Sequence, residues 1–212
     1  MKNGLRVAIV AALASGMGLA NTAMAFEPGE WLIRLGAMDV DPKSDNHEVV
    51  SVDDAISATL GFTYMMTDVW AIDILAAYPF EHDLSLAVVD PDDGSISHLP
   101  VGSTKHLPPT VSLQWRPMPN SMFQPYFGLG INYTNFFDEK TSGVLEGTKL
   151  SLGDSWGYAI QGGFDVVLSD SVFLNVDVRY ANVETKAKLD GTSIGTVKID
   201  PMVYGAHIGF RF

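Results

Sequence analysis

QPYFGLGINYTNF, residues 124–136, places Phe127, Leu129, Ile131 and Tyr133 at alternate positions, with Tyr126, Gly128, Gly130 and Asn132 between them. A period of two marks a β-strand with two unlike faces. One face is large and apolar. The other is mostly small or polar and lacks the long Lys and Glu side chains that coat a soluble barrel. A soluble barrel turns its apolar set inward. The residues here suit the reverse arrangement, with greasy side chains toward lipid and the small polar set toward a lumen.

Seven other segments share this pattern. Residues 30–40 set Trp31, Ile33 and Leu35 against Arg34 and Gly36, and residues 57–66 set Leu60, Phe62 and Tyr64 against Thr59, Gly61 and Thr63. Residues 70–80 oppose Trp70, Ile72 and Ile74 to Ala71, Asp73 and Leu75; residues 110–116 oppose Val111, Leu113 and Trp115 to Ser112, Gln114 and Arg116. Segments 155–168, 172–181 and 202–212 continue the series, with Gln161, Asp165, Asp177, Arg179, His207 and Arg211 on the second face. The expected fold is all-β: an eight-stranded antiparallel transmembrane barrel. Arg34, Asp73, Leu75, Gln114, Gln161, Asp165, Asp177, Arg179, His207 and Arg211 are expected to line its channel, where charges of opposite sign neutralise each other.

The connections alternate in length. Residues 66–68, 117–123 and 168–171 are short turns, whereas 41–56, 81–103, 138–154 and the hairpin at Asp190-Gly191 read as longer polar loops. Short periplasmic turns opposite long extracellular loops are a membrane-barrel asymmetry. Trp31, Trp70 and Trp115 fall on the short-turn rim; Tyr78, Tyr133, Trp156, Tyr180 and Tyr204 fall toward the other, as two interfacial belts would.

Residues 1–25 read as a secretory signal peptide: Lys2 and Arg6, an apolar run too short to span a bilayer, then Ala23-Met24-Ala25. The domain plan is therefore signal peptide 1–25 and barrel 26–212. The formal charge of −12 argues against nucleic acid as a partner. Cysteine is absent, the five histidines lack metal-ligand spacing and no nucleophile motif is present. Neither catalysis nor a cofactor is expected. The acidic run 39–54 and Pro91-Asp92-Asp93-Gly94 could hold a cation against lipopolysaccharide phosphates, although solvated turns account for them more simply.

Prolines interrupt the pattern at one height. Pro79 ends the third segment and Pro108-Pro109 opens the fourth, removing ladder donors from neighbouring strands. A gap there would let an apolar solute leave the lumen sideways into lipid; otherwise the prolines simply end strands and begin loops. Leu75, joined by Phe80, Met65 and Leu107, would form an apolar throat or packing filler.

His106-Leu107-Pro108-Pro109-Thr110, Gln124-Pro125-Tyr126, GLGINYTNFFD at 128–138, Asp154-Ser155-Trp156-Gly157, Ile199-Asp200-Pro201 and the ending Gly209-Phe210-Arg211-Phe212 together resemble the OmpW family. The resemblance runs through nearly all of 26–212. It implies a barrel in the outer membrane of a Gram-negative bacterium, in contact with membrane lipids and lipopolysaccharide. It also implies passive uptake of small hydrophobic molecules, since the family includes alkane-uptake members. Phe210 and Phe212 resemble the signal read by the outer-membrane assembly machinery. Arg179 stands where relatives can carry a bulky aromatic, so closure here would involve Asp177 or Asp73. Two alternatives remain: a non-conducting surface barrel serving adhesion, envelope integrity or phage or bacteriocin reception, and a soluble lipocalin-type carrier suggested by Gly29-Glu30-Trp31.

Overall fold

The computed structural model describes residues 25–43, 50–89 and 96–212. The expected signal peptide, apart from Ala25, and the Pro91–Gly94 turn lie outside the described residues. The strands are β1 (Trp31–Asp41), β2 (Val50–Val52), β3 (Ala55–Met65), β4 (Trp70–Ala77), β5 (Phe80–Val89), β6 (Ile96–Leu107) and β7 (Thr110–Trp115). They continue with β8 (Phe123–Thr141), β9 (Leu150–Leu152), β10 (Ser155–Val167), β11 (Val172–Ala181), β12 (Glu184–Leu189), β13 (Thr192–Lys198) and β14 (Met202–Arg211).

Eight of them close a ring in the order β10-β11-β14-β1-β3-β4-β7-β8, with β8 pairing back onto β10. All the pairings in that ring are antiparallel. Closure satisfies the backbone without an open edge, the condition for strands in hydrocarbon. The chain ends meet as well: Trp31 and Phe212 exchange backbone hydrogen bonds of 3.0 and 2.9 Å.

Burial follows the pleat. Along β4 and β7, Trp70, Ile72, Ile74, Val111, Leu113 and Trp115 are exposed, while Ala71, Asp73, Leu75, Thr110, Ser112 and Gln114 are buried. Leu129 and Ile131 are 68% and 61% exposed in the middle of β8, which only a lipid environment tolerates across a whole barrel. The apolar exterior removes the soluble-carrier alternative. Trp31 packs on Tyr64 at one rim (5.0 Å) and Tyr133 on Trp156 at the other (4.7 Å). From Trp70 to Tyr78 the chain rises about 26 Å, roughly 20 Å across a bilayer at a strand tilt of about 40°.

The short-rim turns are held by side chains: Thr67 Oγ1 accepts the Trp70 N–H at 2.9 Å and Ser169 Oγ the Val172 N–H at 3.2 Å. The opposite rim departs from expectation. Most of the segments read as long loops are strands that prolong the wall: β5 pairs with β6 and β2, β8 runs on to Thr141, and β12 pairs with β13 and β9. Pairing satisfies the backbone there, and Leu84, Val101, Thr185 and Ala187 keep the inward alternation. Pro100, Gly102 and the polar outer face hide that period in the sequence. The third segment likewise stops at Ala77 rather than Phe80, which begins β5. Elements β2, β5, β6, β9, β12 and β13 lie beyond the apolar band, where exposed ion pairs such as Lys105–Asp138 (2.7 Å) appear.

Candidate functional site

Inside the band the lumen is filled by an alternating chain of charges. Arg116, just past β7, pairs with Asp165 of β10; Asp165 pairs with Arg34 of β1 at 3.0 Å; Arg34 pairs with Asp73 of β4 at 3.2 Å. Asp73 continues to Arg179 of β11 at 3.1 Å, and Arg179 Nε donates to Asp177 Oδ2 at 2.5 Å. The three cations balance the three anions, so the buried set is neutral. Neutral partners knit it together. Thr63 donates to Asp73 (2.6 Å), Gln161 to Asp73 (3.4 Å), and Asn175 to both Asp165 (2.7 Å) and the Tyr126 hydroxyl (3.0 Å). His207 bridges Thr59 and Asn175 at 2.9 and 3.0 Å.

Below this network the inner mouth is closed by Phe26, Leu32, Met65, Ala71, Val167 and Phe173. Arg116 and Arg211 lie over the Phe26 ring at 5.2 and 5.5 Å, so the apolar lid is fastened to the charges above it. Gly209 permits the packing: a Cβ there would stand 2.1 to 2.5 Å from ring atoms of the buried Phe173.

Above the network the lumen opens into a cavity of about 130 Å³. A cavity of about 150 Å³ on this scale binds benzene. Its walls include Met38, Val40, Leu75, Phe80, Leu84 and Phe136, and Gln161 and Arg179 join it to the charge network.

One seam beside the cavity is interrupted. The β4–β7 ladder ends at Leu75↔Thr110 and the β5–β6 ladder resumes at Phe80↔His106. Residues 76–79 and 107–109 face each other without ladder pairs. Each side stays tied to its other neighbour: the Tyr78 N–H donates to the Ala58 carbonyl (2.8 Å), and the Pro109 carbonyl accepts from the Tyr133 N–H (3.0 Å). Asn132 Nδ2 donates to the Pro108 carbonyl at 3.2 Å. The interruption thus leaves little backbone polarity unsatisfied. Leu75, Ala77, Phe80 and Pro108 border both the seam and the cavity.

All ten residues expected to line a channel are buried inside the barrel. Only Leu75, Gln161 and Arg179 border the cavity; the others pack into the filled inner half. Arg179 contacts both Asp177 and Asp73. Of the seam prolines, Pro108 faces the cavity, while Pro79 and Pro109 belong to the unpaired stretches. The proposed throat needs correction. Phe80 joins Leu75, but Met65 lies in the inner lid, at the far end of β3. Leu107 is outside the cavity because the pleat turns its neighbour His106 inward. Sequence reasoning missed Arg116, Tyr126, His82 and His106 as site residues. The alternating phase of β7 already placed Arg116 with Gln114. Phe210 and the 74%-exposed Phe212 sit on the short-turn rim.

Comparison with known proteins agrees with this geometry. The sequence pattern of the OmpW family matches residues 27–212. Outer membrane protein W of Vibrio cholerae is 38% identical, covering 97% of each chain. The crystal structure of the outer membrane protein OprG from Pseudomonas aeruginosa is 33% identical, covers 89% of this chain and 98% of its own, and superimposes with a TM-score of 0.76. The solid-state NMR structure of outer membrane protein AlkL in lipid bilayers, 21% identical with 93% and 96% covered and a TM-score of 0.64, shares the fold.

Proposed function

Since the chain belongs to the OmpW family of outer-membrane β-barrels, we propose that it takes up small hydrophobic molecules passively through a lateral route. A solute enters the cavity from the outer end, meets the charge network and leaves sideways between residues 76–79 and 107–109 into the bilayer. The observation that carries this reading is the adjacency of three features. An apolar cavity sits on a polar, filled floor, and beside it lies the seam interrupted between Leu75↔Thr110 and Phe80↔His106. An apolar molecule gains nothing by entering the buried ion pairs, whereas lipid is a favourable destination.

The residues that do this are positional. Pro79, Pro108 and Pro109 cannot donate to a ladder, so they keep the seam from zipping shut. Leu75 and Phe80 supply the apolar wall at its inner side. The molecules crossing the seam meet membrane lipid directly, beneath the lipopolysaccharide headgroups. Phe212, displayed at the rim, would serve recognition by the outer-membrane assembly machinery.

The filled inner half also suits a non-conducting surface barrel used for adhesion, envelope integrity or reception of a phage or bacteriocin. Uptake separates the two. In cells with an intact lipopolysaccharide leaflet, expression of the protein should speed entry of an n-alkane. Replacing Pro79 and Pro108 together by alanine, which restores two N–H donors, should slow that entry several-fold at unchanged protein level. Unchanged entry in the double variant removes the lateral route, and no effect of expression at all leaves the surface-barrel reading.

A further inference from the structure

Two imidazoles interrupt the apolar wall of the cavity. His82 on β5 and His106 on β6 stack with centroids 4.9 Å apart and planes 17° from parallel. Phe80 also stacks with His106 at 5.4 Å, and Phe136 of β8 lies at 5.8 Å. Both rings are buried, His82 2% and His106 7% exposed, and both line the cavity. Most other polar side chains of the cavity floor already have partners. Asn132 Nδ2 donates to Thr110 Oγ1 at 2.9 Å, Thr134 donates to Asn132 Oδ1 at 2.7 Å, and Arg179 holds two carboxylates. In contrast, His82 Nε2 and His106 Nδ1 have no hydrogen-bond partner among the described residues; on the cavity floor Gln161 Oε1 shares that condition.

The chemistry of one of these nitrogens is fixed. His82 Nδ1 lies 2.5 Å from the backbone carbonyl of Asp53, an oxygen that can only accept. Nδ1 therefore carries the proton, and in the neutral ring Nε2 presents a lone pair. The acceptor is buried in an apolar wall, where leaving it unmatched is costly. His106 Nδ1 can donate or accept according to tautomer. A hydrocarbon offers nothing to either nitrogen. A hydroxyl offers a donor to His82 and, through its oxygen, an acceptor.

We propose that the His82–His106 pair is a polar subsite that selects apolar solutes bearing a hydroxyl group over plain hydrocarbons of the same length. The inference rests on the cavity being the uptake site. The alkyl part lies along Leu75, Phe80, Leu84 and Phe136, and the hydroxyl hydrogen is donated to His82 Nε2. Burial and the neighbouring ring keep His106 neutral, which suits it to bind an uncharged group.

The test uses the purified full-length mature protein in lipid nanodiscs, with the fluorescent apolar probe 1-N-phenylnaphthylamine displaced by 1-hexanol or by n-hexane. Wild type should bind the alcohol about three- to ten-fold more tightly after correction for partitioning into lipid, the worth of one net hydrogen bond. His82→Phe should abolish that preference; His82→Gln, which keeps a polar end, should retain part of it. As a measurement needing no variant, the His82 Nε2 ¹⁵N resonance of wild type should move upfield with 1-hexanol and stay put with hexane. Equal binding of both solutes, or an alcohol preference that survives His82→Phe, overturns the subsite while leaving hydrophobic uptake standing. Failure of both solutes to displace the probe overturns the cavity as a binding site and the uptake reading with it.

Discussion

Asp165 is held by two arginines and by Asn175, and it is fully buried. Its removal leaves Arg116 without a carboxylate and Arg34 with Asp73 alone, whereas Arg116 is a terminal member of the chain. Asp165→Ala should therefore destabilise the barrel by about 3–5 kcal/mol, and Arg116→Ala by distinctly less, because Asp165 keeps Arg34. Thermal unfolding followed by the gel-mobility shift of the folded barrel checks the order. Equal losses would mean that the network does not work as a linear chain of pairs. The inward set was readable from the alternation, since a residue's face follows from its parity along a strand. Who pairs with whom was not readable. Arg34 and Asp165 meet across the lumen from strands far apart in the chain, a consequence of barrel closure that no local pattern encodes.

At the scale of elements, β5 and β6 decide the character of the outer wall. Their residues resemble polar loop in the sequence because Pro100 and Gly102 break the period and polar residues occupy the outer face. The prolines at 79, 108 and 109 were legible as ladder breaks. That the ladder resumes beyond them depends on long-range pairing and was not. The two strands carry the stacked histidines, both outside the bilayer band. Burial, and then the facing His82, pull His106 down to about 3 from its ordinary 6.5. Burial also lowers His82, against the opposing pull of the Asp53 carbonyl and the carboxylates of Asp53, Asp54 and Asp83. With the folded value depressed, the unfolded strands bind more protons below about pH 6.5. Stability is thus complete above that pH and is lost as pH falls toward 3, by roughly 1.4 kcal/mol per pH unit for one such group. Amide exchange in β5 and β6, corrected for its intrinsic pH dependence, should show falling protection between pH 6.5 and 4.5. His106→Phe should flatten that trend. Protection that stays level in wild type would show the pair to be solvated.

For the molecule as a whole, the fold combines a polar plug with an apolar outer chamber and, beside that chamber, the seam interrupted between residues 76–79 and 107–109. A barrel of eight strands has an interior just wide enough for side chains, so a filled inner half is the expected geometry and a side exit is compatible with it. Proteoliposomes carrying the protein and a lipopolysaccharide outer leaflet can report ion conductance and entry of an n-alkane together. If solute leaves between residues 76–79 and 107–109 while ions meet the Arg116–Asp165–Arg34–Asp73–Arg179–Asp177 chain, alkane entry should depend on the protein with no matching ohmic conductance. Conductance that rises in proportion to alkane entry, and persists with it when the seam prolines are replaced, would contradict it.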